Sequence, residues 1–328
     1  MTTHHIIEPL AEAAQRALRA PSAFNSQPWR WRVDAGVLEL YADRTRQLAV
    51  TDPDGRLLTL SCGAALHHAR VALTAARYQV DVVRFPDSND PDLIARLRVT
   101  GPCEPTDREV ALDEAIPDRR TDRRAFGEQP VPPETLARLR AVVEAEGAFL
   151  HVVRPDQMPM LAVVTAGAAA SEVADPAYRD EVHHWTHRPP WTGDGVPATV
   201  AVRQAPRRVM LRDHALGGEA GLEPGGGNDR GAAYTVLFGR DDTPRSWLCA
   251  GEALSALLLT AVLEGLSAAP ISDAIELAWP RRLMRDLLAG VGQPYLVVRL
   301  GVPAESDVLP SVPRRAPDEV IELAERKE

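Results

Sequence analysis

Long hydrophobic runs, a basic charge excess and cysteine are all scarce in this sequence. The longest apolar run, Ala253–Val262, is interrupted by Ser255 and Thr260, and it is much shorter than the roughly 20 residues that cross a bilayer. The N-terminal residues lack the basic region and the apolar block of a secretory signal. We therefore predict that the protein has no membrane segment and stays in the cytoplasm.

The charge balance argues against nucleic-acid binding. The formal net charge is −9, whereas the neutralisation of backbone phosphates needs a positive stripe. No nucleic-acid partner is predicted, although a local arginine cluster could still bind one small phosphate. The three cysteines are odd in number and share no short metal-ligand or redox spacing. We expect reduced, mostly buried thiols.

Three other kinds of site find little support in the sequence. His183, His184 and His187 include an i, i+4 pair, but no carboxylate or cysteine completes a recognisable zinc set, so no metal is predicted. No Gly-x-Gly-x-x-Gly follows a strand, which argues against a resident dinucleotide. Ser22 lies in no nucleophile elbow, so a hydrolase triad is not favoured either.

The rest of the sequence is typical of a folded protein of 328 residues, with 45% hydrophobic and 25% charged residues. Helical and strand patterns alternate along it. The predicted helices are Glu8–Arg19, Gly63–Arg77, Pro133–Ala145 and Ala250–Leu263. The predicted strands are Trp29–Val33, Val37–Tyr41, Gln79–Phe85, Ala95–Thr100, Phe149–Val153 and Tyr295–Leu300.

Two stretches of the chain resemble each other. Gly63-Ala-Ala-Leu66 lies in a helix that precedes a strand ending at Gly101, and Gly251-Glu-Ala-Leu254 lies in a helix that precedes a strand ending at Gly301. We interpret this as a diverged internal duplication. Two unrelated alanine-rich helices would give the same pattern.

The duplication divides the chain into residues 1–110 and residues 111–328. Residues 180–230 are irregular in character and belong to the second half alone. An insertion of this length is usually a lid or a mobile segment.

The most specific string is Ala20-Pro-Ser-Ala-Phe-Asn-Ser-Gln-Pro-Trp29, between a predicted helix and a predicted strand. Its two prolines stiffen the loop, while Ser22, Asn25 and Gln27 offer donors and acceptors from a fixed frame. That combination suits a planar ligand whose edge carries nitrogen and oxygen atoms. A structural loop is the alternative, because serine and asparagine commonly cap helices and hold turns.

The string Pro21-Ser-x-x-Asn-Ser-Gln-Pro-Trp29 resembles the signature loop of the nitroreductase family of FMN enzymes. The resemblance implies an α+β, nitroreductase-like fold in which each half has a central sheet flanked by helices. In that family two subunits intertwine, and this loop reaches the flavin held mainly by the other subunit. The flavin contacts implied here are Pro21, Ser22, Ala23, Asn25 and Gln27.

A run of arginines, Arg119-Arg-Thr-Asp-Arg-Arg-Ala-Phe126, resembles the family's phosphate-binding signature. Arginine suits this task because its planar fork binds phosphate oxygens in pairs and keeps its charge. Two registers fit, and both stay open: one uses Arg120, Asp122 and Arg124, and the other uses Arg119, Thr121 and Arg123. The alternative is a solvated face of an acidic protein.

Two further strings resemble the family. Pro270, Ile271, Ser272 and Asp273 are similar to the segment that lies along the isoalloxazine, which implies that they line one ring edge with a backbone N–H near flavin N5. The family often has Glu-Gly in place of Ser272-Asp273, and a helix end followed by a proline stop is the alternative. In Pro313-Arg-Arg-Ala-Pro317, Arg315 matches the family's terminal phosphate-binding arginine, and Arg314 is the weaker candidate.

The first half has the loop and lacks the arginine motifs, whereas the second half has the arginine motifs and lacks the loop. This complementarity resembles the Acg-like branch of the nitroreductases, and it implies a pseudo-dimer of two intertwined halves with one complete FMN site. A monomer is expected, with a homodimer as the alternative.

The implied activity is transfer of hydride from NAD(P)H through FMN to a nitroaromatic or quinone-type acceptor. The chemistry would lie on flavin N5, with no side chain acting as an acid or base. Two alternatives stay open. One is a flavoprotein that sequesters or stores FMN beneath its insertion, where Trp185 and Trp191 would fill the space above the ring. The other is a structural protein that has lost the flavin.

Overall fold

Two β-sheets flank a pair of long buried helices in the computed structural model, which describes residues 4–216, 218–305 and 307–324. The helices are α1 His4–Ala17, α2 Arg56–Ala75, α3 Asp107–Ala115, α4 Pro133–Ala145, α5 Met158–Ala174, α6 Pro176–Thr186, α7 Pro244–Leu263, α8 Asp273–Glu276, α9 Ala278–Leu287 and α10 Pro317–Val320. The strands are β1 Trp29–Asp34, β2 Val37–Ala42, β3 Tyr78–Arg84, β4 Leu93–Pro102, β5 Phe149–Val152, β6 Ala233–Gly239, β7 Ser267–Ile271, β8 Gln293–Gly301 and β9 Ile321–Leu323.

The two sheets repeat one order of elements. The first sheet has the order β3-β4-β2-β1-β9, and the second, written from its β7 edge, has the order β7-β8-β6-β5. In each sheet a long helix leads into an antiparallel hairpin, α2 into β3 and β4, and α7 into β7 and β8. The element order therefore supports the predicted duplication, and the two-half division of the chain stays a prediction.

The strands and helices follow from local sequence. Along β1 the side chains of Trp29, Trp31 and Val33 are buried while the residues between them face outward, as the two-residue period of a strand requires. Helix α7 begins six residues earlier than predicted. Pro244 in its first turn needs no N–H partner, and the Thr243 side chain accepts a hydrogen bond from the Ser246 N–H.

The repeated glycine strings meet at the crossing of α2 and α7. A β-carbon added to Gly63 would lie 2.1 Å from the Leu248 carbonyl oxygen, and one added to Gly251 would lie 1.9 Å from the Leu60 carbonyl oxygen. Only glycine permits this close approach of the two backbones. The helix pair lies between the two sheets, and residues of both helices line one cleft.

Helix α7 also has the length and apolar composition of a membrane-spanning helix. Of its most apolar window, 72% is buried inside the fold. The predicted run Ala253–Val262 is therefore part of a longer helix, which packs in the protein core as Ala253, Leu257 and Ala261 show.

Two long connections bring distant segments to the cleft. The chain between β5 and β6 includes α5, α6 and an irregular stretch, so it begins before the predicted insertion at residue 180. After β8 the chain returns to the first sheet, where β9 pairs in parallel with β1. This return places residues 313–315 beside the loop that precedes β1.

Candidate functional site

A cleft with two adjoining parts lies between the loop before β1, the ends of α2 and α7, and the segment 119–124. The apolar pocket has a volume of about 840 Å³ when the open solvent at its mouth is included. The arginine pocket has a volume of about 560 Å³ on the same basis. Both are lined by Pro21, Ser22, Thr121 and Arg123, which therefore form the boundary between them. The predicted loop and the predicted arginine run are thus brought together.

Backbone strain marks the loop before β1. Phe24, Asn25 and Gln27 have φ values of 50°, 53° and 50°, in the left-handed region that favours glycine. Each such residue costs about 1–3 kcal/mol, and strain of this kind clusters at functional sites. The Ser22 Oγ holds the loop closed by accepting a hydrogen bond of 2.9 Å from the Gln27 N–H. Ala23 lines the apolar pocket beside Pro21 and Ser22.

The amides of Asn25 and Gln27 hold the loop against other segments. The Asn25 amide nitrogen donates to the carbonyl oxygens of Gly195 and Pro313, and its oxygen accepts from Arg314 at 3.0 Å. Asn25 lines the arginine pocket. Gln27 is fully buried, with its amide bound to Gly193 O at 2.8 Å and to the Arg315 N–H at 3.0 Å. Gln27 lines neither pocket, so its position supports the loop instead of a ligand contact.

The arginine run alternates between two environments. Arg119, Thr121 and Arg123 line the cleft, together with Arg120 at its rim, whereas Asp122 and Arg124 face away. Nε and Nη1 of Arg119 are buried and have no hydrogen-bond partner among the described residues. Burial lowers the pKa values of Arg119 and Arg123 to about 10 each. Within the described residues no carboxylate offsets this effect at Arg119, whereas the charge of Asp122 partly offsets it at Arg123.

Arg124 contrasts with its neighbours. Its Nε donates to Asp122 at 3.1 Å, and its Nη1 donates to Glu305 and Asp307 at 2.9 Å each. The hydrogen bond to Asp122 is the main cause that raises the pKa of Arg124. Arg124 lies outside both pockets and has a structural role here, which separates it from the other predicted phosphate ligands.

At the C-terminal segment, Arg314 lines the arginine pocket and Arg315 does not. Arg314 bridges Asn25 Oδ1 and the Arg19 carbonyl oxygen, while its Nε has no partner among the described residues. Burial and then the charge of Arg119 lower the pKa of Arg314 to about 9. Arg315 instead lies 3.8 Å from Asp43 and 3.9 Å from Glu319. The weaker sequence candidate is therefore the one in the cleft.

The segment from Pro270 to Asp273 forms one wall of the apolar pocket. Pro270 and Ile271 end β7, and Ser272 and Asp273 begin α8. Asp273 is 1% exposed, and its Oδ1 accepts from the Ala274 N–H at 3.0 Å. Its Oδ2 is buried and has no partner in the described part of the chain. Burial raises the pKa of Asp273 to about 6.

Several pocket residues were not foreseen from the sequence. Their apolar helix positions look like any core position, and the irregular insertion has no recognisable pattern. They are Leu57, Leu60 and Ser61 of α2, Leu254 of α7, Leu296 of β8, and Leu211, Arg212 and His214 of the insertion.

The tryptophans of the insertion do not lie where we expected. Trp185 packs with Phe24 and Leu48 in a separate cluster, and Trp191 is 85% exposed. Neither of them lines the apolar pocket. Arg212 and His214 contact the Phe24 ring instead, at 4.8 Å from the guanidinium carbon and 5.8 Å between ring centroids.

Metal binding has no structural counterpart in the described residues. The His183 and His187 rings stack with centroids 4.0 Å apart. Within residues 4–216, 218–305 and 307–324, no cluster of three or more His, Cys, Asp or Glu side chains could hold a metal ion.

The fold and the cleft define an α+β protein with a pocket suited to a flat ligand that carries an anionic group. Two Mycobacterium tuberculosis proteins named "Putative NAD(P)H nitroreductase", Rv3131 and acg, are similar to it over most of its length. Rv3131 is 39% identical over 94% of this chain and 90% of its own, and acg is 34% identical over 98% and 97%. The chain belongs to the nitroreductase family, and the predicted family and α+β fold class are confirmed.

Two other comparisons add less. No family model matches the chain. A crystal structure of the FMN and NADPH-dependent nitroreductase NfnB from Sphigopyxis sp. strain HMH covers 66% of this chain and 99% of its own, with 18% identity and a TM-score of 0.40. A nitroreductase with bound FMN from Bacteroides fragilis NCTC 9343 covers 62% and 95%, with 14% identity and a TM-score of 0.38.

Proposed function

We propose that the protein binds one FMN and passes hydride from NAD(P)H to a nitroaromatic or quinone-type acceptor. The isoalloxazine would lie in the apolar pocket and the phosphate in the arginine pocket. One observation carries this proposal: the two pockets adjoin, and they share Pro21, Ser22, Thr121 and Arg123.

The chemistry of the two pockets fits the two ends of FMN. Leu57, Leu60 and Leu254 give the first pocket an apolar floor, as ligand pockets for flat rings usually have. In the second pocket, buried nitrogens of Arg119 and Arg314 lack hydrogen-bond partners within the described residues. Buried donors without partners are costly. A dianionic phosphate would satisfy them.

The residues of the chain would position the cofactor, which supplies hydride transfer at N5 when bound. Arg119, Arg120 and Arg314 would hold the phosphate, with Thr121 and Arg123 at the junction. This favours the register with Arg119, Thr121 and Arg123, extended by Arg120, and it places Arg314 in the role first given to Arg315. Pro270, Ile271 and Ser272 would line one ring edge.

Absorbance spectroscopy tests the proposal directly. The purified protein, or the protein titrated with FMN, should show bound-flavin absorbance, and anaerobic NADPH should bleach it. Turnover is then measured with a nitroaromatic and with a quinone. A colourless protein that takes up no FMN would favour the reading in which the flavin has been lost. Bound FMN without turnover would remove the oxidoreductase reading.

FMN sequestration is the second candidate, and the position of the insertion supports it. Leu211, Arg212 and His214 of the insertion wall the apolar pocket. Deleting the whole insertion is a poor test, because Gly193 and Gly195 hold Gln27 and Asn25. Replacing Leu211 and His214 by alanine opens the pocket and spares those contacts. Sequestration predicts that this double variant gains acceptor turnover, whereas unchanged turnover would show that access is not limiting.

A further inference from the structure

Asp273 is the one acidic residue among the described residues that line the apolar pocket, and one of its carboxyl oxygens lacks a hydrogen-bond partner there. Its side chain is 1% exposed, and Oδ1 is engaged by the Ala274 N–H. Oδ2 has no hydrogen-bond partner within the part of the chain that the structure describes. A buried carboxylate oxygen without a donor is strongly disfavoured, whereas a protonated carboxyl group can donate to a ligand.

Burial is the main cause that raises the pKa of Asp273, while the charge of Arg212 lowers it and the charge of Glu276 raises it. Glu276 on the same helix, Glu172 on α5 and Asp273 surround one cation, Arg212 of the insertion. Arg212 donates hydrogen bonds to Glu276 at 2.6 Å and to Glu172 at 3.3 Å.

Tyr178 on α6 adds a neutral phenol next to Glu172. One guanidinium therefore faces three carboxyl groups, and burial raises the pKa values of both Glu172 and Asp273.

We propose that Asp273 is the proton donor to the electron acceptor in the apolar pocket. This deepens the proposed function and rests on it, and it departs from the expectation that no side chain acts as an acid. A para-quinone becomes a hydroquinone by gaining one hydride, which carries two electrons, and one proton. With the flavin bound, the hydride would pass to one carbonyl oxygen and form the first O–H bond, leaving the negative charge on the opposite oxygen. The Asp273 carboxyl O–H would break, and its proton would form the second O–H bond at that opposite oxygen. Water entering the cleft then returns a proton to the carboxylate.

The first test needs no cofactor. In the apoprotein labelled with carboxyl 13C aspartate, NMR should show a carboxyl resonance that titrates near pH 6 and is missing in D273N. D273N should keep the resonance of Asp52, whose pKa burial raises to about 7. An Asp273 resonance that titrates at the ordinary value near 3.8 would overturn the proposal. The exposed Asp81→Asn variant controls for the effects of substitution at a residue far from the pocket.

The second test separates acceptors that need a proton from one that does not. The protein loaded with FMN is reduced anaerobically with dithionite and mixed with benzoquinone or ferricyanide. Ferricyanide takes one electron at a time and no proton. D273N should slow quinone reduction by about a hundredfold, in the range of general acid catalysis. It should leave the ferricyanide rate within about twofold, because no proton transfer from a general acid is needed there.

The pH profile gives the third criterion. With wild type, the quinone rate should fall as pH rises above about 6, since the donor must be protonated, and D273N should lose that dependence. Equal slowing with both acceptors would overturn the proposal, because it would indicate a distorted pocket. Because dithionite reduces the flavin chemically, this test does not depend on NAD(P)H. A protein that cannot use NAD(P)H would fail the turnover assay, whereas a wrong role for Asp273 would show only in the comparison of quinone with ferricyanide. D273E should restore part of the quinone rate.

Discussion

Two buried arginines five residues apart, Arg119 and Arg124, differ in one respect that decides their roles. Arg124 finds a carboxylate for every guanidinium nitrogen, from Asp122, Glu305 and Asp307. Arg119 is equally buried, yet among the described residues its guanidinium group makes one hydrogen bond of 3.4 Å, to the Arg19 carbonyl oxygen. The pKa of Arg124 is raised by its partners, whereas the pKa of Arg119 is lowered by burial.

This difference shows how one short run can serve both structure and binding. In an extended segment, successive side chains point to opposite sides. The even-numbered side holds Asp122 and Arg124, which compensate each other inside the fold. The odd-numbered side holds Arg119 and Arg123, which line the cleft, where a bound phosphate would compensate their charge. Sequence composition does not distinguish the two arginines, but their partners do.

The largest expected effect is on stability, from breaking the compensated pair. Arg124→Met should lower the free energy of unfolding by about 3–5 kcal/mol, because Asp122 would remain buried without its cation. Urea unfolding of the apoprotein measures the change. The double variant D122N/R124M should recover much of the loss. If R124M is as stable as wild type, Arg124 is not the structural member of the comparison.

The next effect is on cofactor affinity, from removing an uncompensated arginine. Arg119→Met should weaken FMN binding by about 1.5–3 kcal/mol, or roughly 10- to 150-fold, the range for charge-assisted hydrogen bonds. The apoprotein should be no less stable than wild type, because an unpartnered buried cation has been removed. Fluorescence titration with FMN measures the affinity.

Two controls sharpen this prediction. Riboflavin lacks the phosphate, so its affinity should be nearly the same for wild type and R119M. Among neighbouring arginines, R314M should weaken FMN binding more than R315M, because only Arg314 lines the arginine pocket. A larger loss in R315M would return the phosphate role to Arg315.

Buried histidines differ from both arginines, because burial keeps them in the neutral form. His67 Nδ1 lies 2.7 Å from Ser255 Oγ, and His68 Nδ1 lies 2.8 Å from the same oxygen. Burial lowers the pKa of His67 to about 4. Because the unfolded histidine has a pKa near 6.5, the unfolded state binds more protons between these values. The contribution of neutral His67 to the free energy of unfolding is complete above about pH 6.5 and is lost as pH falls toward 4.

At pH 5 this loss should amount to roughly 2 kcal/mol for His67, because pH 5 lies about 1.5 pH units below the unfolded pKa and above the folded pKa of about 4. Urea unfolding at pH 7 and pH 5 measures it. H67Q keeps a neutral polar side chain, so its loss of stability over the same interval should be smaller than that of wild type. Equal losses in both proteins would assign the acid sensitivity to other groups.

Much of the site was predictable because rare residue combinations carry it. The loop from Pro21 to Trp29 and the arginine run are distinctive strings, and the structure brings them to one cleft. The roles of Gln27 and Arg124 were not predictable, since a buried amide or guanidinium reveals its partner only in three dimensions. The wall residues Leu57 and Leu60 were missed for a related reason, because apolar helix residues look alike in sequence.

The fold was also predictable only in part. Helix α4 was predicted at its observed bounds, Pro133–Ala145, because a proline opens it and its apolar spacing is regular. The short strand β9 and its pairing with β1 were missed. Three residues carry too little pattern, and the partner strand lies almost 300 residues away. That pairing is nevertheless what returns Arg314 to the loop.

The smallest expected effect on stability comes from a solvent-exposed ion pair, which serves as the reference for the buried pair of Asp122 and Arg124. Arg77 donates two hydrogen bonds of 2.9 and 3.0 Å to Glu104, a geometry as good as that of Arg124, yet the two side chains are 66% and 82% exposed. Glu104→Gln should therefore change the free energy of unfolding by less than about 1 kcal/mol, as for other exposed pairs. Urea unfolding in low and in high salt measures it. A loss as large as that in R124M would mean that hydrogen-bond geometry, and not burial, sets the cost of an unpaired charge. The distinction between Arg119 and Arg124 would then lose its physical basis.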